Sequence, residues 1–308
     1  MTTNDNNVDL VEQLKLLSDP DEPLSKRKVT IFSNLDRQQM NDLWATWRSL
    51  SAERRQEFVR ALNTLAEDNV DLNFRQFFLA CLSDPDDQVR AIAVDGLWED
   101  ESSRTLEALL QLVEDPSGMV RVAAVLGLSR FAYMAEMDEL SEEDALAVCT
   151  TLLDVASDDK QPMDVLRRAV EALGYFANSP EAQAEIGRAY QSGDQLLRES
   201  SMVAMGRSIR EEWMPYIERE LSSPSPAMRY EAARAVGEMA DEGRPLLQKL
   251  LPLVEDDDIE IAVAAIWALG QVGGPQARQV LSRIVRTNDD ARRRAADDAL
   301  ADLNLEAF

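Results

Sequence analysis

A ten-residue motif returns seven times across the last two thirds of the chain, and its fixed period constrains the fold more than any other feature. It reads V-R-A-I-A-V-D-G-L-W from Val89, V-R-V-A-A-V-L-G-L-S from Val120 and V-L-R-R-A-V-E-A-L-G from Val165. It continues as L-R-E-S-S-M-V-A-M-G from Leu197, M-R-Y-E-A-A-R-A-V-G from Met228 and I-A-V-A-A-I-W-A-L-G from Ile261, with a worn copy, R-R-R-A-A-D-D-A-L-A, from Arg292. Successive copies start 31, 45, 32, 31, 33 and 31 residues apart. Such a period marks a stack of small units, each of which buries its apolar face only against its neighbours.

The motif itself reads as a helix. Its first, fifth and ninth positions are apolar or small, as in Val89, Ala93 and Leu97 or Ile261, Ala265 and Leu269, and that spacing lies on one helical face. The eighth position is Gly96, Gly127, Ala172, Ala204, Ala235, Ala268 or Ala299, small enough to let a neighbouring helix come close. Three residues before the copies stand Asp86, Ser117, Pro162, Asp194, Ser225, Asp258 and Asp289. All but the proline can accept the unpaired amide hydrogens of a first helical turn. A second amphipathic stretch lies between copies, for example 106–113, 182–190, 213–221, 246–254 and 277–285. Ser179-Pro180 starts one of them as an N-cap with proline at the first helical position. One unit is therefore helix, turn, helix, and the chain is all-α.

The V-R-x-x-A-A-x-A-L-G pattern preceded by D-P resembles HEAT-like repeats, in particular the short kind of phycobilin lyase subunits. The resemblance covers about 69–303. It implies a right-handed α-solenoid (α/α superhelix) of about eight helix pairs, with the V-R helices lining a concave face. The second motif position is arginine in five copies, Arg90, Arg121, Arg198, Arg229 and Arg293, while Leu166 and Ala262 depart from the pattern. By the resemblance, these arginines look inward along the repeat junctions and bond to acidic turn residues.

The expected organisation is a flexible acidic segment over 1–28, capping helices over 29–68, the array over 69–303 and a tail over 304–308. Within 1–28, turns are marked by Asp19-Pro20 and Glu22-Pro23, and only 8–17 has an amphipathic pattern, with Val8, Val11, Leu14 and Leu17. This stretch is expected to dock in cis or to stay disordered. Helices are expected over 36–49 and 51–67, the second capped by Ser51. In the last copy Arg292 and Asp297 replace apolar residues, so one side of the final helix is expected to meet water. The 45-residue spacing implies an acidic insertion near 131–143, expected as a loop. From Phe131 to Lys160 there are nine acidic residues against one lysine, with Ser141 and Asp144 as a capping pair.

The chain has 32 Lys and Arg against 57 Asp and Glu, a net charge of -25. Gripping DNA or RNA requires many basic phosphate contacts, so nucleic acid and anionic membranes are not expected partners. The start lacks the basic and apolar regions of a signal peptide, and no apolar run approaches the roughly 20 residues of a membrane helix. A cytoplasmic monomer is expected. There is no histidine, which removes the usual general base and the commonest transition-metal ligand. Cys81 and Cys149 lack zinc spacing and read as buried thiols. Gly273-Gly274-Pro275 reads as a helix–helix turn rather than a phosphate loop. Residues 255–260 lack the central glycine of a calcium loop. No cofactor, metal site or catalytic residue is expected.

The third, seventh and eleventh motif positions face away from the core. They place Arg130, Arg167, Arg207 and Arg234 beside Tyr175, Tyr230 and Trp267. Arginine and aromatic side chains dominate many interfaces. The expectation is a bacterial-type, non-catalytic scaffold that binds a protein or peptide in the concave groove through these seven residues. Local pairing of Arg234 with Glu231 or Glu238 is the plainer alternative for part of the set. A second alternative, raised by the resemblance, is a lyase-like or chaperone-like protein that holds a tetrapyrrole or another small cofactor for a partner.

Overall fold

The computed structural model describes residues 3–19 and 22–305, and among them only helices and turns occur. Pro20 of the first expected turn, and 306–308 of the expected tail, lie outside the described residues, as does the side chain of Val8. The chain divides into two compact units, Met1–Leu128 and Ser129–Phe308. Among the described residues, eight helix pairs follow one another in this α-solenoid.

In the first unit, α1 (Thr3–Leu17) and the single turn α2 (Lys26–Val29) precede α3 (Arg37–Trp47) and α4 (Ala52–Asp68). Asp36 accepts from the Gln39 amide while the Gln39 side chain accepts from the Asp36 amide, a reciprocal cap that fixes the start of α3. Ser51 caps α4 as its sequence suggests. The pairs that follow are α5 (Arg75–Cys81) with α6 (Asp87–Asp95), and α7 (Ser103–Leu112) with α8 (Gly118–Glu136), the helix in which the division falls. Lacking the motif, the first pair builds its core from rings. Phe58 and Phe77 meet edge to face at 5.6 Å, Trp47 and Phe77 at 5.1 Å, and the buried Trp47 indole donates to Asp84 at 2.7 Å.

The opening segment, expected to dock or to stay flexible, carries a docked helix. Leu10, Leu14 and Leu17 are buried, and Val11 remains exposed. Arg54, itself buried, donates to the carbonyls of Leu17 (3.0 Å), Leu16 (3.3 Å) and Glu22 (2.8 Å). One guanidinium thus ties the last two carbonyls of α1 and the carbonyl of Glu22 to α4.

The second unit continues with α9 (Glu142–Ser157), α10 (Met163–Leu173), α11 (Pro180–Tyr190), α12 (Gln195–Arg207), α13 (Met214–Glu220) and α14 (Pro226–Glu238). It ends with α15 (Leu247–Leu250), α16 (Ile259–Val272), α17 (Gly274–Ile284) and α18 (Asp290–Leu305). The motif helices α10, α12, α14, α16 and α18 stack directly on one another. In α10 and α14 the first, fifth and ninth residues are core: Val165, Ala169 and Leu173, then Met228, Ala232 and Val236, are fully enclosed. The small residues work in pairs across the junctions. A Cβ placed on Gly174 would lie 2.9 Å from the Ala204 Cα, and one on Gly206 would lie 2.6 Å from the Ala235 Cα. The tenth position of one copy therefore seats the eighth position of the next.

Asp86, Asp194, Ser225, Asp258 and Asp289 cap their helices as expected. The second-position arginines do clamp acidic turns. In the first unit Arg90 donates through two nitrogens to Asp115 (2.8 and 2.7 Å) and to the carbonyl of Asp84 (2.8 Å). In the second, Arg229 repeats the pattern with Asp256 (2.9 and 3.2 Å) and the carbonyl of Ser223 (3.0 Å). Arg198 reaches Glu220 at 3.4 Å, whereas Arg121 bonds the carbonyl of Asp115 and Arg293 pairs locally with Asp290. Gly273, at φ 66°, ends α16 and starts the turn into α17, a left-handed conformation that glycine adopts without a Cβ clash.

Four expectations need correction. The insertion is not a loop: it extends α8 to Glu136 and adds the first turns of α9, which Ser141 caps. The stretch 246–254 is not one helix, because Pro245 and Pro252 break it into 3-10 segments, Ala240–Leu246 and Leu251–Glu255, around α15. Proline removes an amide donor, and its ring clashes with the preceding turn. Arg292 does not turn to water. It donates to the carbonyls of Val254 (3.0 Å) and Asp256 (2.6 Å), leaving Asp297 exposed. Finally, α8 is by length and composition apolar enough to cross a membrane. Its Val120, Ala124, Val125, Leu128, Phe131 and Ala132 are all buried in the fold, as in a core helix.

Candidate functional site

Within the second unit the outward positions of α10, α12 and α14 surround a hollow of about 340 Å³. Arg167, Arg207, Tyr230 and Arg234 all line it, so four of the seven expected residues come together. Each arginine is held by a different device. Arg167 donates through Nε to the Ser200 hydroxyl at 3.2 Å, and that hydroxyl donates to Glu171 at 2.7 Å. Arg207 donates to the backbone carbonyl of Glu171 at 3.0 Å, and its guanidinium lies 5.0 Å above the Tyr175 ring. Arg234 lies 5.4 Å from the centre of the Trp267 ring, with an exposed contact of 3.4 Å to Glu238.

Tyr175 and Trp267 therefore support the arginines from beneath and are not part of the lining. Tyr133, from the extended end of α8, packs edge to face on Tyr175 at 5.6 Å and lengthens this platform. Cation–π stacking holds a guanidinium plane while leaving donors along its edge. Arg130 is not gathered with the others: it lies 5.2 Å from the Phe131 ring and does not line the hollow.

Two lining residues lie outside the outward positions read from the sequence, Arg168 and Glu231, the second expected only as a local partner of Arg234. Both occupy the fourth motif position, which shares a helical face with the seventh and eleventh. Including that position would have found them. Arg168 donates to the buried Glu171 at 2.7 Å. Glu231 has no such bond. Burial foremost, with the charges of Glu171 and Glu199, raises its carboxyl to about 7 against the opposing pull of Arg234 and Arg167. The site therefore gathers four guanidinium groups with the carboxyls of Glu171 and Glu238, and its third carboxyl, Glu231, exchanges its proton near neutrality.

A family model for HEAT repeats matches residues 75–160 and 214–301, more than half of the chain. The chain belongs to the HEAT-repeat family. The lining of the hollow draws on both kinds of stretch: Tyr230, Glu231 and Arg234 lie in the second match, and Arg167, Arg168, Glu171 and Arg207 lie between the two. No curated protein matches the sequence significantly. Among solved structures, the Kap95–Nup1 complex aligns with a TM-score of 0.57 at 14% identity, covering 96% of this chain and 46% of that one. The chain thus spans about half the length of that neighbour. The complex of CpcE and CpcF of phycocyanin lyase from Nostoc sp. PCC7120 aligns with a TM-score of 0.51 at 16% identity, covering 74% and 94%. A crystal structure of an engineered protein gives 0.45 at 17% identity, covering 96% and 88%. At these identities the likeness is one of fold.

Proposed function

We propose that this HEAT-repeat chain is a non-catalytic scaffold that binds a protein or peptide on the face formed by α10, α12, α14 and α16. One observation carries the reading: in a chain of net charge -25, four arginines converge on a single hollow, and two of them are braced on aromatic rings. Their free donors suit carboxylates or other anions, which guanidinium forks bind with directional, charge-assisted bonds. Tyr230 supplies apolar area beside them. The scaffold acts as a cytoplasmic monomer, away from nucleic acid and membranes, whose phosphates its net charge repels. The tetrapyrrole-holding alternative shares only a fold with CpcE and CpcF.

The test is affinity capture from lysate with the wild-type chain and with the double variant Arg207→Glu, Arg234→Glu. Proteins captured by the wild type are expected to be lost from the variant, whose helical circular dichroism should be unchanged. Full recovery by the folded variant would overturn the assignment of this face.

A further inference from the structure

A second hollow, of about 290 Å³, lies wholly within the first unit, between the loop after α4 and the end of α6. Its floor is apolar: Phe74, Phe78 and Leu97 are buried beneath it. Gly96 keeps it open to the ring of Phe78, since a Cβ there would stand 2.6 Å from that ring. Two large apolar side chains at its edge face water, Trp98 at 60% exposure and Val70 at 85%. Trp98 is also where this copy breaks the repeat. The same tenth motif position is glycine in four later copies, Gly174, Gly206, Gly237 and Gly270, each pressed against the next motif helix. An exposed tryptophan at that step serves no stacking role.

The surroundings of this hollow state what can cover it. Glu99 lines it, Asp95 precedes the lining Gly96, Glu67 follows the lining Ala66, and Asp71 sits between the lining Val70 and Leu72. All four are exposed. Arg75, the basic residue of the lining, is already bonded to Asp100 at 2.7 Å. The charge of Glu67 adds to the rise that packing gives the Asp95 carboxyl, so these two acids stand close together. An apolar floor inside a negative rim favours an apolar anchor carried between positive charges. A second copy of this chain, at net charge -25, is disfavoured by the same field.

We propose that this hollow is a second docking surface, which takes a partner segment bearing apolar side chains flanked by lysines or arginines. The surface shares no residue with the arginine-lined face, so either can fail without the other.

The probe is a synthetic peptide of about 14 residues with leucines at helical spacing and lysines elsewhere, together with a twin in which glutamate replaces every lysine. Binding to the full chain is located by the indole proton signal of Trp98, assigned by its loss in Trp98→Phe, and the affinity of every variant is read from the fluorescence anisotropy of a dye on the peptide. The lysine peptide is expected to shift that signal saturably and to weaken with added salt. Its affinity should fall about tenfold or more in Trp98→Ala and in the charge reversal Glu99→Lys. Both changes are at exposed positions, and unchanged thermal unfolding would verify the fold. Four results would overturn the proposal: no saturable shift, equal binding by Trp98→Ala, equal binding of the glutamate twin, or self-association that Trp98→Ala abolishes.

Discussion

Ile209 holds a left-handed backbone, φ 51°, that a β-branched side chain adopts only under strain. It stands at the same step after its motif as Ala240, φ 46°, and Gly273, φ 66°, so these three copies leave the motif helix through a positive φ and only one of them supplies glycine. Ile209→Gly is expected to raise unfolding stability by about 1 kcal/mol, the relieved strain exceeding the extra entropy of glycine; urea denaturation checks it. Glu231 makes a different demand. Its folded carboxyl titrates at about 7, above the unfolded carboxylate value of about 4.3. Between those values the folded state holds more protons than the unfolded one, so stability falls as pH rises through the interval. Glu231→Gln should abolish that slope and raise stability at pH 8 by about 2 kcal/mol. The direction also bears on binding. Protonation removes a negative charge from the arginine cluster, so capture of an anionic partner should strengthen from pH 8 to pH 6 in the wild type and stay flat in the variant.

The element that recurs is the junction clamp, an arginine of one motif helix held by the carboxylate of the next turn. In the first unit Asp115 accepts from Arg90 and from the Ser117 amide at 2.8 Å. In the second, Asp256 accepts from Arg229 and from the Asp258 amide at 3.0 Å. The Arg229 bond holds the Asp256 carboxyl below its ordinary value. Burial pushes Asp115 up, but Arg90 and the Ser117 amide outweigh it and the net direction is also down. Each clamp therefore contributes stability that is present above about pH 4 and is lost as pH falls through the lowered folded value. Asp256→Asn, which keeps an acceptor for the amide and loses the charge, should cost about 1–2 kcal/mol at pH 7. The cost should shrink as pH falls below about 4, as read by urea unfolding at pH 7 and at lower pH. These clamps were expected from the resemblance to HEAT-like repeats, which the recurring V-R pairs carry. The kinked run around α15 was less legible in the sequence: its apolar period looks helical although Pro245 and Pro252 interrupt it. The insertion was misread for a related reason. Spacing reveals extra length, and only the apolar residues Phe131, Ala132 and Met134, buried on α8, reveal that the length continues a helix.

At the scale of the whole molecule, a repeat array distributes its stability over nearest-neighbour junctions. The sequence shows the identity of those junctions because the residues that make them are constrained alike in every copy. The candidate site is less legible because its arrangement depends on three helices at once. No local pattern says that Ser200 will bridge Arg167 to Glu171, or that Tyr175 and Trp267 will lie beneath arginines of their neighbouring copies. The same nearest-neighbour logic yields a test. A methyl group on Gly206 would lie 2.6 Å from the Ala235 Cα and 3.1 Å from its carbonyl oxygen, and backbone cannot swing aside as a side-chain tip can. Gly206→Ala must therefore part α12 from α14, an overpacking cost of about 1–3 kcal/mol. The alanine's better helix propensity, about 1 kcal/mol, offsets only part of it. Because each helix pair draws its support from adjacent pairs, amide hydrogen exchange should quicken most in α12 and α14 and less in α10 and α16. The core amides of α4 and α6, in the other unit, should keep wild-type protection. A uniform loss across every helix would mean that the array unfolds as one cooperative block, and the additive description would not hold for this chain.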